Sequence, residues 1–238
     1  MQKNIQNLFK DRLGRNVLSL LEKISQVADQ FSMPVFAVGG FVRDLLLNVS
    51  NKDIDIAVEG DGILFASRLA EEFGGQVTTH EKFGTAVVLF PDGNRIDVAM
   101  TRLEYYAHPA VLPTVKQSSI KSDLYRRDFT INSLAVKLNE EDAFCLLDFL
   151  NGERDIKNKK IDVLHDSSFI EDPCRLFRAI RFEQRYDFRI GRQTEALMKV
   201  AINKRLVDSL SGARFLNEMI LILKENHPLK YILRMKEL

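Results

Sequence analysis

Asp53 and Asp55 stand one residue apart in Asn51-Lys-Asp-Ile-Asp-Ile-Ala57, a stretch whose β-branched alternation predicts a strand. Residues i and i+2 of a strand project from one face, so both carboxylates would converge where a divalent metal needs oxygen ligands. Upstream, Gly39-Gly40 separates an apolar strand at 35–38 from a helix beginning near Phe41. A glycine turn feeding a helix N-terminus leaves backbone N–H groups free to hold a phosphate. Phosphate cradle, cation and paired carboxylates in one short run suggest nucleotide chemistry. Each part also has a plain reading, Gly-Gly as a mere turn and Asp-x-Asp as a solvated edge. Arg43 and Asp44 fit either account.

Asp97, in Asn94-Arg-Ile-Asp-Val-Ala-Met100, would be a third carboxylate if its strand neighbours Asp53 and Asp55. Acidic groups around two divalent ions are a recurrent way to drive nucleotidyl transfer. One ion lowers the pKa of the attacking hydroxyl while the other neutralises the leaving pyrophosphate. Tyr125-Arg-Arg-Asp-Phe-Thr-Ile-Asn-Ser-Leu134 combines Arg126 and Arg127 with Asp128 and Asn132. Arginine forks suit phosphate oxygens, and the Asp–Asn pair suits ribose hydroxyls or a helix cap.

The run Glu171-Asp-Pro-Cys-Arg-Leu-Phe-Arg-Ala-Ile-Arg-Phe-Glu-Gln-Arg185 predicts one helix with Pro173 in its first turn and acids at its positive end. Arg175, Arg178, Arg181 and Arg185 then fall within roughly a third of the circumference. A salt-bridged, solvated face would interleave acids, yet only Glu171 and Glu183 are at hand. The stripe is therefore expected to meet nucleotide or RNA phosphates. Glu171, Asp172 and Arg175 have the donor and acceptor groups to read a base edge.

The elements that must position these groups follow from periodicity. A helix at 16–31 opens the chain; strand 35–38, helix 41–47, strand 54–58 and helix 63–73 follow. Strands at 76–80, 85–90 and 95–100 come next, the last two joined by Pro91-Asp92-Gly93. Residues 105–119, with Pro109 and Pro113, predict a loop. Structure resumes at 124–136, with strands at 144–149 and near 160–164 around a turn at Asn151-Gly152. Helices at 171–185, 194–202, 213–224 and 229–236 complete an α+β head, residues 1–165, with a small mixed sheet, and an all-helical neck, residues 166–238.

The totals add bounds. A chain of 238 residues with 45% hydrophobic and 28% charged residues is long enough for one large or two small domains with a real core. No apolar run approaches the ~20 residues needed to span a bilayer, and the N-terminus lacks the apolar core of a secretory signal. Cys145 and Cys174 offer neither a disulfide framework nor metal spacing, which makes a reducing cytoplasm the expected location. A net charge of +1 leaves only local basic patches as evidence for a nucleic-acid partner.

Together these strings resemble the class II tRNA nucleotidyltransferases and bacterial poly(A) polymerases of the polymerase-β-like superfamily. Gly39-Gly-Phe-Val-Arg-Asp44 with Asp53-Ile-Asp55 looks like their first motif, and Arg126-Arg-Asp-Phe-Thr-Ile-Asn132 like their second. Leu147-Asp-Phe-Leu-Asn-Gly-Glu-Arg-Asp155 is similar to the motif that couples head and neck. Glu171-Asp-Pro-Cys-Arg175 looks like the amino-acid template that selects CTP or ATP, and Ser211-Gly-Ala-Arg-Phe-Leu-Asn-Glu218 resembles a neck-stabilising helix. The resemblance implies stepwise addition of C, C and A, or part of that sequence, to a tRNA 3′ end, with pyrophosphate released. It implies Mg²⁺ on Asp53 and Asp55, triphosphate on Gly39, Gly40 and Arg43, ribose near Asp128, and the base edge on Asp172 and Arg175. Such enzymes continue into helical body and tail domains, so the chain is expected to be a piece of a longer protein or to take its RNA grip from elsewhere. A poly(A) polymerase, a non-catalytic nucleotide- or RNA-binding module, and a nucleotidyltransferase acting on a small molecule or protein are the competing readings.

Overall fold

The computed structural model describes every residue except Met1, Gln2, Lys52, Ala107, Pro109, Ala110 and Leu112. Two compact units emerge. The first comprises Met1–Leu103, Val115–Arg127 and Asn132–Glu153; the second comprises Glu104–Thr114, Asp128–Ile131 and Arg154–Leu238. Short segments, Glu104–Thr114 and Asp128–Ile131, fall with the part of the chain from Arg154 onward. Backbone pairing accounts for the second of them. Thr130 donates its N–H to the Asp162 carbonyl (2.9 Å) and its hydroxyl to Asp155 (2.7 Å), and Phe129 bridges Val163, which joins Asp128–Ile131 to the later chain.

The first unit runs β1 (Lys3–Asn4), α1 (Gln6–Arg12), α2 (Arg15–Gln30), β2 (Val35–Val38), α3 (Gly40–Leu47), β3 (Ile54–Val58), α4 (Gly62–Phe73), β4 (Gln76–His80), β5 (Thr85–Leu89) and β6 (Arg95–Met100). Strands β7 (Arg102–Tyr105) and β8 (Thr114–Gln117), each with residues in both units, come next in the chain, then α5 (Ile120–Tyr125), β9 (Ala135–Lys137) and β10 (Cys145–Leu147) of the first unit. Among the described residues one eight-stranded mixed sheet has the order β1-β10-β9-β2-β3-β6-β5-β4. Helix α2 buries Leu20, Leu21, Ile24, Val27 and Ala28, the three-and-four spacing of a core-facing stripe. All four residues of β2 are buried, which is why it reads as an unbroken apolar run. Asp61 starts α4 by accepting the N–H groups of Ile63 and Leu64, and Gly74, left-handed at φ 73°, stops it.

The second unit takes up α6 (Gly152–Lys157) partway along and continues through β11 (Lys160–Ile161), α7 (Ser168–Glu171), α8 (Cys174–Tyr186), β12 (Arg189–Ile190), α9 (Arg192–Asn203), α10 (Gly212–Leu223) and α11 (Pro228–Glu237). It is not all-helical, because β11 and β12 form a parallel pair. The other departures have local causes. The expected loop at 105–119 carries strand residues at both margins, and Pro109 lies outside the described residues. The turn at Asn151-Gly152 opens α6, with Asp148 accepting the N–H groups of Gly152 (2.8 Å) and Glu153 (2.9 Å). The long helix expected at 171–185 is two helices. Proline crowds the preceding residue out of helical geometry, so Asp172 is extended (φ −137°, ψ 95°) and Glu171 ends α7. Among the described residues no helix is long and apolar enough to cross a membrane.

Candidate active site

In the first unit, β3 and β6 run parallel with Asp55 in register with Asp97. Residues so paired project to the same face, and the shared face brings the two carboxylates together. Asp53 precedes the first residue of β3 and is exposed; its N–H is held by Asn51 Oδ1 (2.8 Å). Burial first, and then the charges of Asp97 and Asp53, raise the Asp55 carboxyl to about 6, against the opposing pull of Arg127 and Arg43. Arg95 offsets part of this charge by donating to Asp97 (2.8 Å).

Among the described residues, no group of three or more His, Cys, Asp or Glu side chains is arranged to hold a metal alone. Magnesium commonly needs only one or two carboxylates, because water and substrate phosphates complete its octahedron. The hard oxygens of Asp53 and Asp55 suit it, and the strained ionisation of Asp55 is what an intervening cation relieves.

The glycine turn stands beside these acids. Gly39 has φ 65° and ψ −129°, and a Cβ built there would lie 2.7 Å from Arg127 Nη1 and 3.9 Å from an Asp55 carboxylate oxygen. The dihedral angles call for glycine, and a side chain there would displace the Arg127 guanidinium. Gly40 is different: a Cβ there would meet Arg43 Nη2 at 3.5 Å, an ordinary contact. No side chain caps α3, so its first-turn N–H groups remain donors beside the turn.

The arginines divide into two kinds. Arg43 is buried; it grips Asp44 through Nε and Nη2 (2.9 Å each) and gives Nη1 to Asn132 (2.6 Å), while Asn51 also donates to Asp44 (2.8 Å). These bonds brace the turn, and they tie Asn132 to Arg43. Arg127 donates Nε and Nη2 to Asp123 (3.3 and 2.9 Å), which leaves Nη1 directed at Gly39. Arg126 binds the same carboxylate (2.6 Å) and the Arg102 carbonyl (3.2 Å). Burial opposes ionisation of Asp123, but Arg127 and Arg126 outweigh it and hold the carboxyl below its usual range. Sequence reading passed over Asp123; its signal is the spacing of three and four from the arginine pair on one helix end.

The second unit holds the other candidates. Asp128 takes Arg178 on Oδ2 (Nε at 2.8 Å). Glu171 accepts from Ser167 (2.8 Å) and faces His165 (3.5 Å). Asp172 accepts from the Cys174 N–H (3.0 Å) and pairs with Arg214 (2.7 Å). Arg175 is buried and donates to Ser168 (2.7 Å). Tyr106, bonded to Glu104 (2.8 Å), feels both Arg175 and Asp172, and burial and Glu104 push its phenol upward.

The arginine stripe is not short of acids. Arg178 meets Asp128, Arg181 faces Glu218 (3.5 Å), and Arg185 pairs with Glu225 (Nε at 2.9 Å). The partners come from elsewhere in the chain, which helix periodicity cannot reveal. Arg181 is buried with Nε lacking a partner, and burial followed by the neighbouring Arg178 lowers its pKa. Cys145 and Cys174 are buried free thiols.

A mixed sheet carrying paired aspartates beside a glycine turn is the polymerase-β-like nucleotidyltransferase head. A family model for the poly(A) polymerase head domain matches residues 35–162, and the chain belongs to that family. An A-adding tRNA nucleotidyltransferase of Geobacter sulfurreducens is 55% identical over 237 residues, covering 100% of this chain and 27% of that one. An A-adding tRNA nucleotidyltransferase of Halalkalibacterium halodurans is 36% identical over 238 residues, covering 99% and 56%. Among solved structures, a CCA-adding enzyme in apo form superposes with a TM-score of 0.95 at 48% identity, over 100% of this chain and 56% of that chain. The Thermotoga maritima CCA-adding enzyme complexed with tRNA gives 0.89 at 44% identity, over 100% and 55%. The chain thus spans between about a quarter and just over half of the curated relatives it matches.

Proposed function

We propose that the chain is the catalytic head and nucleotide-selecting part of a template-independent tRNA nucleotidyltransferase, using ATP, CTP or both and acting on a tRNA 3′ end. The observation that carries this reading is the register of Asp55 against Asp97, with Asp53 adjacent and Arg127 Nη1 over the Gly39 turn. The A-adding subtype is favoured, because both relatives described above bear that name.

In this reading the substrate 3′-hydroxyl gives up its proton to solvent as its oxygen bonds to the α-phosphorus, the bond from that phosphorus to the β-phosphate bridge oxygen breaks, and pyrophosphate leaves. Asp53 and Asp55 would hold Mg²⁺, which when bound would supply charge neutralisation and a lowered pKa for the attacking hydroxyl. The first-turn N–H groups of α3 and Nη1 of Arg127 receive the triphosphate oxygens, while Arg43 braces the turn from below through Asp44 and Asn132. Asp97 concentrates negative charge next to Asp55. Asp128 accepts from the ribose, and Asp172 with Arg175 offers an acceptor and donors to a base edge. Arg181 and Arg185, already paired with Glu218 and Glu225, act by holding the helices rather than by meeting RNA.

The test is addition to tRNAs lacking the terminal A, CA or CCA, with Mg²⁺ and with ATP and CTP supplied separately and together. Single A addition to a tRNA ending in CC is expected. CC addition, full CCA addition or long A tails would each reassign the subtype. Asp53→Ala should abolish addition without unfolding the chain; retained activity in that variant would overturn the metal assignment.

A further inference from the structure

We infer that Arg178 is the positioning residue for ribose recognition, holding Asp128 in the rotamer from which its carboxylate can accept the ribose 2′-hydroxyl. The inference deepens the reading of Asp128 as the ribose contact and rests on it. Arg178 was expected from its helix stripe to meet a phosphate; the geometry points elsewhere.

Asp128 is 8% exposed and is fixed from two directions. Its Oδ1 accepts the N–H of Phe129 (2.8 Å), and its Oδ2 accepts Nε (2.8 Å) and Nη2 of Arg178. Both anchors are themselves immobilised. The Phe129 ring is fully buried and meets Phe182 edge-on at 5.8 Å. Phe182, one turn along α8 from Arg178, also lies under the Arg178 guanidinium at 5.4 Å. One aromatic ring therefore packs against both the residue that follows Asp128 and the residue that pairs with it. A buried carboxylate without such a partner would tend to protonate, or turn toward other donors, and lose its directed acceptor. Arginine suits this role better than lysine, because a planar fork fixes direction as well as charge.

The consequence is a selective signature. A phosphate contact would weaken ribo- and deoxyribonucleotides alike. A residue that acts through Asp128 weakens only the nucleotide carrying the 2′-hydroxyl.

The experiment is the affinity of the chain for ATP and 2′-deoxyATP in Mg²⁺, by calorimetry, for wild type, Asp128→Asn, Arg178→Met and Arg178→Lys. Wild type should prefer ATP by about 10-fold or more, the scale of one hydrogen bond to a charged group. Arg178→Met should bring ATP to the deoxyATP level while deoxyATP binding changes by less than about 2-fold, and Arg178→Lys should recover part of the preference. Equal loss for both nucleotides, or an unchanged preference in Arg178→Met while Asp128→Asn abolishes it, overturns the role of Arg178. A wild type that binds both nucleotides equally removes the ribose contact at Asp128, and the inference falls with it. A wild type that binds neither rejects the nucleotide-binding reading itself. Thermal melts accompany each variant; if Arg178→Met does not fold, Arg178→Gln and Arg178→Lys carry the same comparison.

Discussion

Asp55, half-buried, and Asp123, fully buried, are carboxylates whose surroundings shift them in opposite directions. For Asp55, burial and two adjacent aspartates raise the folded-state pKa to about 6, above the value of an unfolded chain. Metal-free stability should therefore fall as pH rises from about 4 toward 6 and level off beyond. Asp55→Asn is expected to be more stable than wild type by about 1–3 kcal/mol at pH 7.5 without divalent ions, an advantage lost below about pH 4. Added Mg²⁺ should narrow the gap by stabilising only the wild type, as denaturant titrations with and without Mg²⁺ would reveal. For Asp123 the sign reverses. Its folded pKa lies below the unfolded value, so its contribution is present above about pH 4 and is lost as pH falls through the folded pKa. Asp123→Asn should cost about 2–4 kcal/mol at pH 7 by leaving two arginines poorly partnered, with a smaller difference at pH 3.

At the scale of elements, the turn between β2 and α3 separates two glycines that look equivalent in sequence. Gly39 sits at positive φ and makes room for a guanidinium, whereas Gly40 is an ordinary first helical residue. Gly39→Ala should destabilise by about 1–3 kcal/mol and displace Arg127, weakening ATP affinity severalfold in a binding titration. Gly40→Ala should leave stability within about 1 kcal/mol of wild type. A common response in both variants would contradict the assignment of Gly39 as the position that makes room for Arg127. The break between α7 and α8 belongs to the same scale. Pro173 forces Asp172 out of the helix, and that kink frees its carboxylate to cap α8 and meet Arg214.

At the scale of the whole molecule, a run of apolar side chains remains uncovered on α10 and α11. Leu216, Leu223, Leu229 and Leu233 are 58%, 56%, 65% and 52% exposed, with Phe215, Ile220 and Ile232 beside them in the chain. Scattered exposed leucines are ordinary, but a patch of this density is a sticky surface. This chain should bind a hydrophobic dye and self-associate at micromolar concentration. The combined change Leu216→Glu, Leu223→Lys and Leu233→Glu should reduce both while moving stability by no more than about 1 kcal/mol. Dye fluorescence and light scattering would test this, and unchanged association would mean that another surface is responsible.

Much of the site is local and therefore legible without coordinates. Strands β2, β3, β4 and β6 follow from alternation and apolar runs, and the Gly39–Gly40 turn, Asp53 and Asp55 lie within one supersecondary unit whose geometry follows from backbone rules. Five short motifs in order were enough to indicate the family. Tertiary structure alone decided the partnerships. Periodicity places Arg178, Arg181 and Arg185 on one stripe, but it carries no information on Asp128, Glu218 and Glu225, which reach them across 50, 37 and 40 residues of chain. Asp97 became part of the acidic cluster because β6 pairs with β3 in parallel, a long-range register that neither strand encodes by itself. The exchange of units between Arg127 and Asp128 is hidden for the same reason: the two are covalent neighbours, yet Arg127 bonds back to Leu124 and Asp123 while Asp128 takes Arg178 from far along the chain.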